Sequence, residues 1–382
     1  MYLLPKPKTI KEQDGQMLLC HSTHIVMTKE VAETEMHAAK RLQEAIRQET
    51  GLILPFSVGE VREGDLSLGI AKTLPEQTYE ITIDEKGGQI SGGDGAGVLY
   101  GVETFCQIVQ QCGGILPCVQ IQDAPDMPNR GYYFDQTRGR VLKLEELKKI
   151  ADRMCRYKLN QLQLYVEHTY LFRDFSEMWR DQTPLTAEEI LELDSYCRER
   201  HIELVPSLAS FGHLCTLLST KTYGDLCEME DSWKEPFSFW NRMRYHTINV
   251  SDERSLPLIK KMIAEYMQLF SSNKFNICAD ETFCLGKYKS KKLAEERGVH
   301  RLYIDYVKEL AQFLVENGKI PMFWGDIIWN SPELMKELPE SMICLNWGYA
   351  PEQREDETRA IAQTGAVQYL CPGVCGWNQW AN

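Results

Sequence analysis

The residue types with the most chemical potential are Asp280 and Glu281, adjacent carboxylates that close the apolar-rich run Lys274–Ala279. In a parallel α/β protein, catalytic groups collect at the carboxyl ends of strands. Two carboxyl groups in one pocket do not both ionise easily, so one tends to keep its proton near neutral pH. One acid and one anion is the pair that cleavage of a glycosidic bond requires. The same dipeptide also begins many solvated loops, so its meaning rests on the elements around it.

Those elements fall into two parts. Residues 1–125 read as an α+β domain. Strand character alternates over Gln16–Met27, helical spacing runs from Val31 to Glu49, and short strands are expected at Asp65–Ile70, Tyr79–Ile83 and Gln89–Ser91. Gly97–Gln111 reads as a helix with Leu99, Val102, Cys106 and Val109 on one side. The glycines of 92–97 miss both the dinucleotide and the P-loop spacing, so they read as turn glycines ahead of that helix. Pro and Asp residues in Asp123–Asn129 mark a boundary.

From residue 126 to 382 the rhythm becomes strand, helix, strand, helix, which implies a parallel sheet. The expected strands are Gly131–Asp135, Gln161–Val166, Ile202–Ser207, Phe275–Asp280, Ile320–Trp324, Met342–Trp347 and Ala366–Leu370. The helices between them include Leu144–Tyr157, Ala187–Arg200, Leu258–Phe270 and Leu302–Glu316. This alternation points to a (β/α)₈ TIM-type barrel behind a small α+β domain. Seven strands are legible and the sequence stops twelve residues after Leu370, so the eighth is expected to be absent or remodelled.

Composition narrows the partners. A formal charge of -13 argues against nucleic acid and against an anionic membrane surface. No run of about 18 apolar residues exists to span a bilayer. The segment Met1–Lys8 lacks a signal peptide's apolar stretch, so a cytoplasmic location with reduced thiols is expected for the 13 cysteines. No Cys/His spacing suits zinc, and neither a metal nor another cofactor is expected. A homo-oligomer is compatible with everything above.

Together these segments resemble glycoside hydrolase family 20, the β-N-acetylhexosaminidases. Asp123–Asp126 followed by Arg130–Arg138 is similar to the family's domain boundary and first barrel strand. Tyr157–Val166 looks like the second strand, and Val205–His213 resembles the third with its Gly-His turn. Ala279-Asp280-Glu281 matches the acid pair on the fourth. The resemblance implies hydrolysis of terminal β-linked N-acetylglucosamine or N-acetylgalactosamine, in which the substrate's own 2-acetamido oxygen is the nucleophile. The partner is then an oligosaccharide or glycoside. Glu281 would be the acid and base, and Asp280 would stay anionic and hold the acetamido N–H.

Further roles follow from the same resemblance. Arg138 would hold sugar hydroxyls, a surface arginine being the alternative. Trp324, Trp347 and Tyr369 would enclose the acetamido group, with Asp326 beside them in Phe323–Asp326; ordinary barrel packing is the alternative for the tryptophans. Trp377 would supply a stacking face for the sugar. His213 would buttress Glu281, or else be a satisfied structural histidine. Where the family has an aspartate pair, this chain has Glu167 and His168; either would complete the His213–Glu281 network, with Glu167 slightly favoured. Cys371 replaces an acid that often follows the tyrosine. Two rivals remain: a retaining glycosidase with Asp280 or Glu167 as nucleophile, and a sugar-binding barrel without turnover. Neighbours on a regular strand face opposite ways, so Asp280 and Glu281 share a pocket only if the strand breaks there.

Overall fold

The computed structural model describes residues 1–350, 352 and 354–373. The chain divides into two compact units. One comprises Met1–Tyr132, Glu145–Gln161 and Ser195–Glu203; the other comprises Tyr133–Leu144, Leu162–Asp194 and Leu204 onward.

The first unit is built on seven strands: β1 (Thr9–Leu18), β2 (Ile25–Met27), β3 (Phe56–Val58), β4 (Leu66–Ile70), β5 (Tyr79–Asp84), β6 (Gly87–Gly92) and β7 (Ile115–Asp123), in the order β1-β7-β5-β6-β4-β2-β3. Strands β3 and β7 are additional to the sequence expectation. The expected helix Val31–Glu49 is two helices, Lys29–Thr34 and Met36–Thr50, broken at Glu35. The helix Gly95–Cys112 is apolar nearly all round and buries Val98, Leu99, Val102, Phe105 and Val109, as a helix enclosed by protein must. Asp94 caps it by accepting from the Gly97 N–H at 2.7 Å. The glycines ahead of it serve close packing. A Cβ on Gly93 would stand 1.9 Å from the Pro75 carbonyl oxygen.

The second sheet contains β8 (Gly131–Asp135), β9 (Gln161–Val166), β10 (Glu203–Leu208), β11 (Lys274–Asn276), β12 (Ile320–Trp324), β13 (Ile343–Gly348) and β14 (Val367–Pro372). The strands lie side by side in chain order, and β10 through β14 pair in parallel. Helices Leu144–Arg156, Ala187–Arg198, Ser255–Tyr266 and Val299–Glu316 alternate with them. Sequential order with helical crossovers is the winding of a TIM-type barrel.

The sheet is curled. Strands β8 and β12 are four places apart, which in a flat sheet is about 19 Å. Yet the rings of Tyr133 and Trp324 meet edge to face at 4.9 Å between centroids. Polar side chains continue this interior layer: Tyr133 Oη lies 3.1 Å from Ser207 Oγ, and Asn276 donates to Gln163 at 3.0 Å. On β13 and β14 the alternate positions face the other way, because Asn346 and Gln368 bond to Thr358 of the helix Glu355–Gln363. Trp347 and Tyr369, one residue away from each, therefore face the interior. Among the described residues the sheet has seven strands, with β8 and β14 at its edges.

Candidate active site

The strand expected over Phe275–Asp280 stops at Asn276. Cys278 (φ 58°), Ala279 (φ 63°) and Glu281 (φ 48°) all take left-handed backbone. Such conformations cost a non-glycine residue on the order of 1–3 kcal/mol and cluster at functional sites. Here they break the alternation of a strand, so Asp280 and Glu281 turn to the same side. The turn is anchored from both flanks. Trp324 N–H donates to the Cys278 carbonyl at 2.9 Å, and Tyr303 Oη donates to the Ala279 carbonyl at 3.0 Å.

Both carboxylates face His213, itself left-handed at φ 61°. His213 Nε2 lies 3.2 Å from Asp280 Oδ2 and 3.3 Å from Glu281 Oε2. The alignment is poor for a hydrogen bond, so the attraction is chiefly between charges. Burial by itself would push the imidazole pKa down. The Asp280 carboxylate and the contacts with both acids outweigh it and push the value up to about 10. Burial likewise opposes ionisation of Asp280, and the His213 charge overcomes it, holding Asp280 below the usual carboxylate range. His213, Asp280 and Glu281 also have the spacing of a cation site.

A third carboxyl adjoins this cluster. Asp326 sits just past β12, and its Oδ2 accepts from the Glu281 N–H at 3.0 Å. Burial first, and the Asp280 charge second, raise its pKa well above the usual carboxylate range. Burial thus pushes the Asp326 carboxyl up while the His213 charge holds Asp280 down.

Arg138 follows β8 and is buried. Asp135 accepts from its Nε at 2.7 Å and from its backbone N–H at 2.8 Å. Its guanidinium lies 4.7 Å from the centroid of the Tyr165 ring, and the same ring meets His213 edge to face at 6.5 Å. Tyr165 therefore joins Arg138 to the acid cluster. Asp135 and Tyr165 lie inside the motifs quoted above; only the fold reveals their function as supports.

Glu167 takes a hydrogen bond from Tyr165 Oη at 2.9 Å and a charged one from Arg242 Nη2 at 2.8 Å, with Arg138 Nε at 3.9 Å. Burial would raise its pKa, but Arg242 and then Arg138 hold it down. Its charged partners are thus two arginines, with Tyr165 Oη as a neutral donor. His168 stands 3.9 Å from Glu167, and burial pushes its pKa down. Arg242 carries no sequence signal, because its helix, Phe239–Arg244, lies in an irregular stretch far along the chain.

Trp324 is buried against Tyr133. Trp347 packs between Trp329 and Tyr349, at 6.0 and 5.0 Å. Tyr369 stands across from Leu345 in register, and Cys371 across from Trp347. Trp377 lies outside the described residues. Buried polar atoms normally find partners. Among the described residues seven side-chain atoms do not, and six belong to this region: His168 Nδ1, His213 Nε2, Arg242 Nε, Asp280 Oδ1, Asp326 Oδ1 and Trp329 Nε1.

Comparison with known proteins agrees in fold. The β-hexosaminidase of Porphyromonas gingivalis is 24% identical over 98% of this chain and 50% of that protein. The β-hexosaminidase of Vibrio furnissii is 26% identical, over 73% and 48%. The chain spans about half the length of these curated relatives. The crystal structure of β-N-acetylhexosaminidase from Bacteroides fragilis superposes with a TM-score of 0.78 at 18% identity, covering all of this chain and 78% of that one. Flavobacterium johnsoniae chitobiase gives 0.81 at 19% identity, covering 97% and 59%. Residues 1–124 match the family model for glycosyl hydrolase family 20, domain 2, and residues 128–374 match that for the family 20 catalytic domain, so the chain belongs to glycoside hydrolase family 20.

Proposed function

We propose that this chain is an exo-β-N-acetylhexosaminidase that releases terminal β-linked N-acetylglucosamine or N-acetylgalactosamine with retention. The observation that carries the reading is the left-handed turn at 278–281, which aims two adjacent carboxylates at one histidine. Asp280 is the anion. Its Oδ1 has no partner, and it is placed to accept the acetamido N–H and to oppose positive charge at the anomeric carbon. The acetamido oxygen then attacks that carbon, forming an oxazolinium while the glycosidic bond breaks. Glu281 is 21% exposed and reaches the leaving oxygen, first giving it a proton and later taking one from the attacking water. Trp324, Trp347 and Tyr369 face the interior where the acetyl group would curl, a pose for which effective molarities reach roughly 10⁵–10⁸ M.

Glu167 is disfavoured as a protein nucleophile because Arg242 and Tyr165 already engage its oxygens. The unpaired cysteines among the described residues support a reducing, cytoplasmic setting.

The deciding experiment compares aryl glycosides that differ only at carbon 2. The 2-acetamido sugar should turn over and the 2-hydroxyl sugar should not. Each fluorine added to the acetyl methyl should lower turnover steeply, because it weakens the carbonyl as a nucleophile. A covalent adduct on Asp280 or Glu167, trapped with a 2-fluoro sugar, would overturn the reading. No turnover of any glycoside would favour a binding barrel.

A further inference from the structure

We propose that Trp240, Arg244 and Phe283 form a subsite for the leaving-group side of the substrate, and that it takes a sugar bearing a carboxylate or sulfate. The proposal deepens the hydrolase reading and rests on it. Phe283 lies two residues beyond Glu281, so its Cα is within about 7 Å of the acid's. Phe283 is 39% exposed and Trp240 60% exposed. Exposed aromatic faces grouped beside a catalytic cluster mark a binding surface.

Arg244 joins the two rings. Its guanidinium carbon lies 5.1 Å from the Trp240 centroid and 5.9 Å from that of Phe283. The side chain is exposed and makes no ion pair among the described residues. On a chain of charge -13, most arginines near the site are already engaged: Arg138 by Asp135, and Arg242 by Glu167. Arg244 is a cation open to a ligand, and a guanidinium suits a planar or tetrahedral anion.

The platform is held in place. The short helix Phe239–Arg244 sends Arg242 inward to Glu167, while the Arg244 carbonyl accepts from Cys284 Sγ at 2.9 Å. Trp240 and Arg244 are therefore fixed against the segment that carries Glu281 and Phe283. Stacking by the rings supplies affinity for any pyranose face. The charge supplies the selectivity.

The test uses four substrates of the full chain: methyl β-N-acetylglucosaminide, and β-N-acetylglucosaminyl disaccharides ending in galactose, galactose 6-sulfate or galacturonic acid. For wild type, kcat/KM relative to the methyl glycoside should be highest for an anionic disaccharide, and that advantage should shrink with added salt. The sulfate and uronate arms identify which anion is preferred. Arg244→Gln should cut the anionic-to-neutral ratio about tenfold, the worth of one charge-assisted hydrogen bond. Trp240→Ala should lower all three disaccharides relative to the methyl glycoside.

An unchanged anionic-to-neutral ratio in Arg244→Gln overturns the proposal. So does a Trp240→Ala protein whose only change is dissociation of a dimer in sedimentation, which would make the patch a contact between two copies. If wild type hydrolyses nothing, the hydrolase reading fails. Calorimetric binding of the three disaccharides to wild type and Arg244→Gln then decides the subsite separately.

Discussion

Gly212 approaches Asp280 so closely that a Cβ at position 212 would stand 2.6 Å from the Asp280 carbonyl oxygen and 3.3 Å from that of Glu281. The loop after β10 and the turn after β11 are thus in backbone contact at the residues that set the acid pair. The adjoining His213 points from that loop into the carboxylates. Gly212→Ala should therefore displace the turn, costing about 1–3 kcal/mol of stability and most of the activity. Denaturant unfolding and steady-state rates check both. A variant with wild-type stability and turnover would show that the contact is slack.

The left-handed backbone at Ala279 makes a second prediction. A β-branched residue is a steric outlier at positive φ, while glycine is at ease there. Ala279→Val should lose about 1–3 kcal/mol, and Ala279→Gly much less. Thermal melts of the two variants, side by side with wild type, read the order directly. Equal losses would mean that buried packing, and not backbone strain, governs the site.

His213 links stability to alkaline pH. Its folded pKa, about 10, lies above the ordinary 6.5, so its stabilising contribution is complete below about 6.5. As pH rises from there the unfolded chain sheds the proton first, and the contribution disappears by the time pH passes about 10. His213→Asn keeps a residue that tolerates left-handed backbone. The stability gap between wild type and this variant should be constant below about pH 6.5 and narrow steadily toward pH 10. A gap that stays flat across that range would remove the imidazolium from the site.

Asp326 has the opposite sign. An acid whose folded pKa is raised costs stability at neutral pH and recovers it as pH falls to the ordinary carboxylate value. Asp326→Asn keeps an oxygen for the Glu281 N–H and removes that cost. The variant should gain on wild type as pH rises above about 4. Urea midpoints at pH 4 and pH 8 measure the trend, and a variant that instead loses ground at pH 8 would show that Asp326 is ionised.

The two acids separate by leaving group. Glu281→Gln should lose on the order of 10²–10⁴ in turnover, with the loss shrinking for leaving groups that need no protonation. Asp280→Asn should fail on good and poor leaving groups alike, because formation of the ring cation suffers in both. Identical dependence in the two variants would mean the roles are misassigned.

Periodicity in the sequence determined most of the framework. The strands β8, β9 and β12 have the bounds that strand patterning and flanking turns suggest, because their apolar side chains leave a local signal in the sequence. The acid pair was legible from its place at the end of such a run. The turn that makes it usable was not. Cys278 and Ala279 are ordinary strand residues by type, and their left-handed backbone is imposed by Trp324, Tyr303 and the close passage of Gly212. Charge assignment was equally out of reach. That the Asp280 pKa is lowered and the Asp326 pKa raised depends on His213 standing beside Asp280 and on Asp326 being buried. Arg242 reaches Glu167 across 75 positions of chain, from a helix of six residues with no periodic signature. Local pattern records what each segment buries, whereas pairings between distant polar groups exist only once the sheet has curled and brought the loops to one mouth.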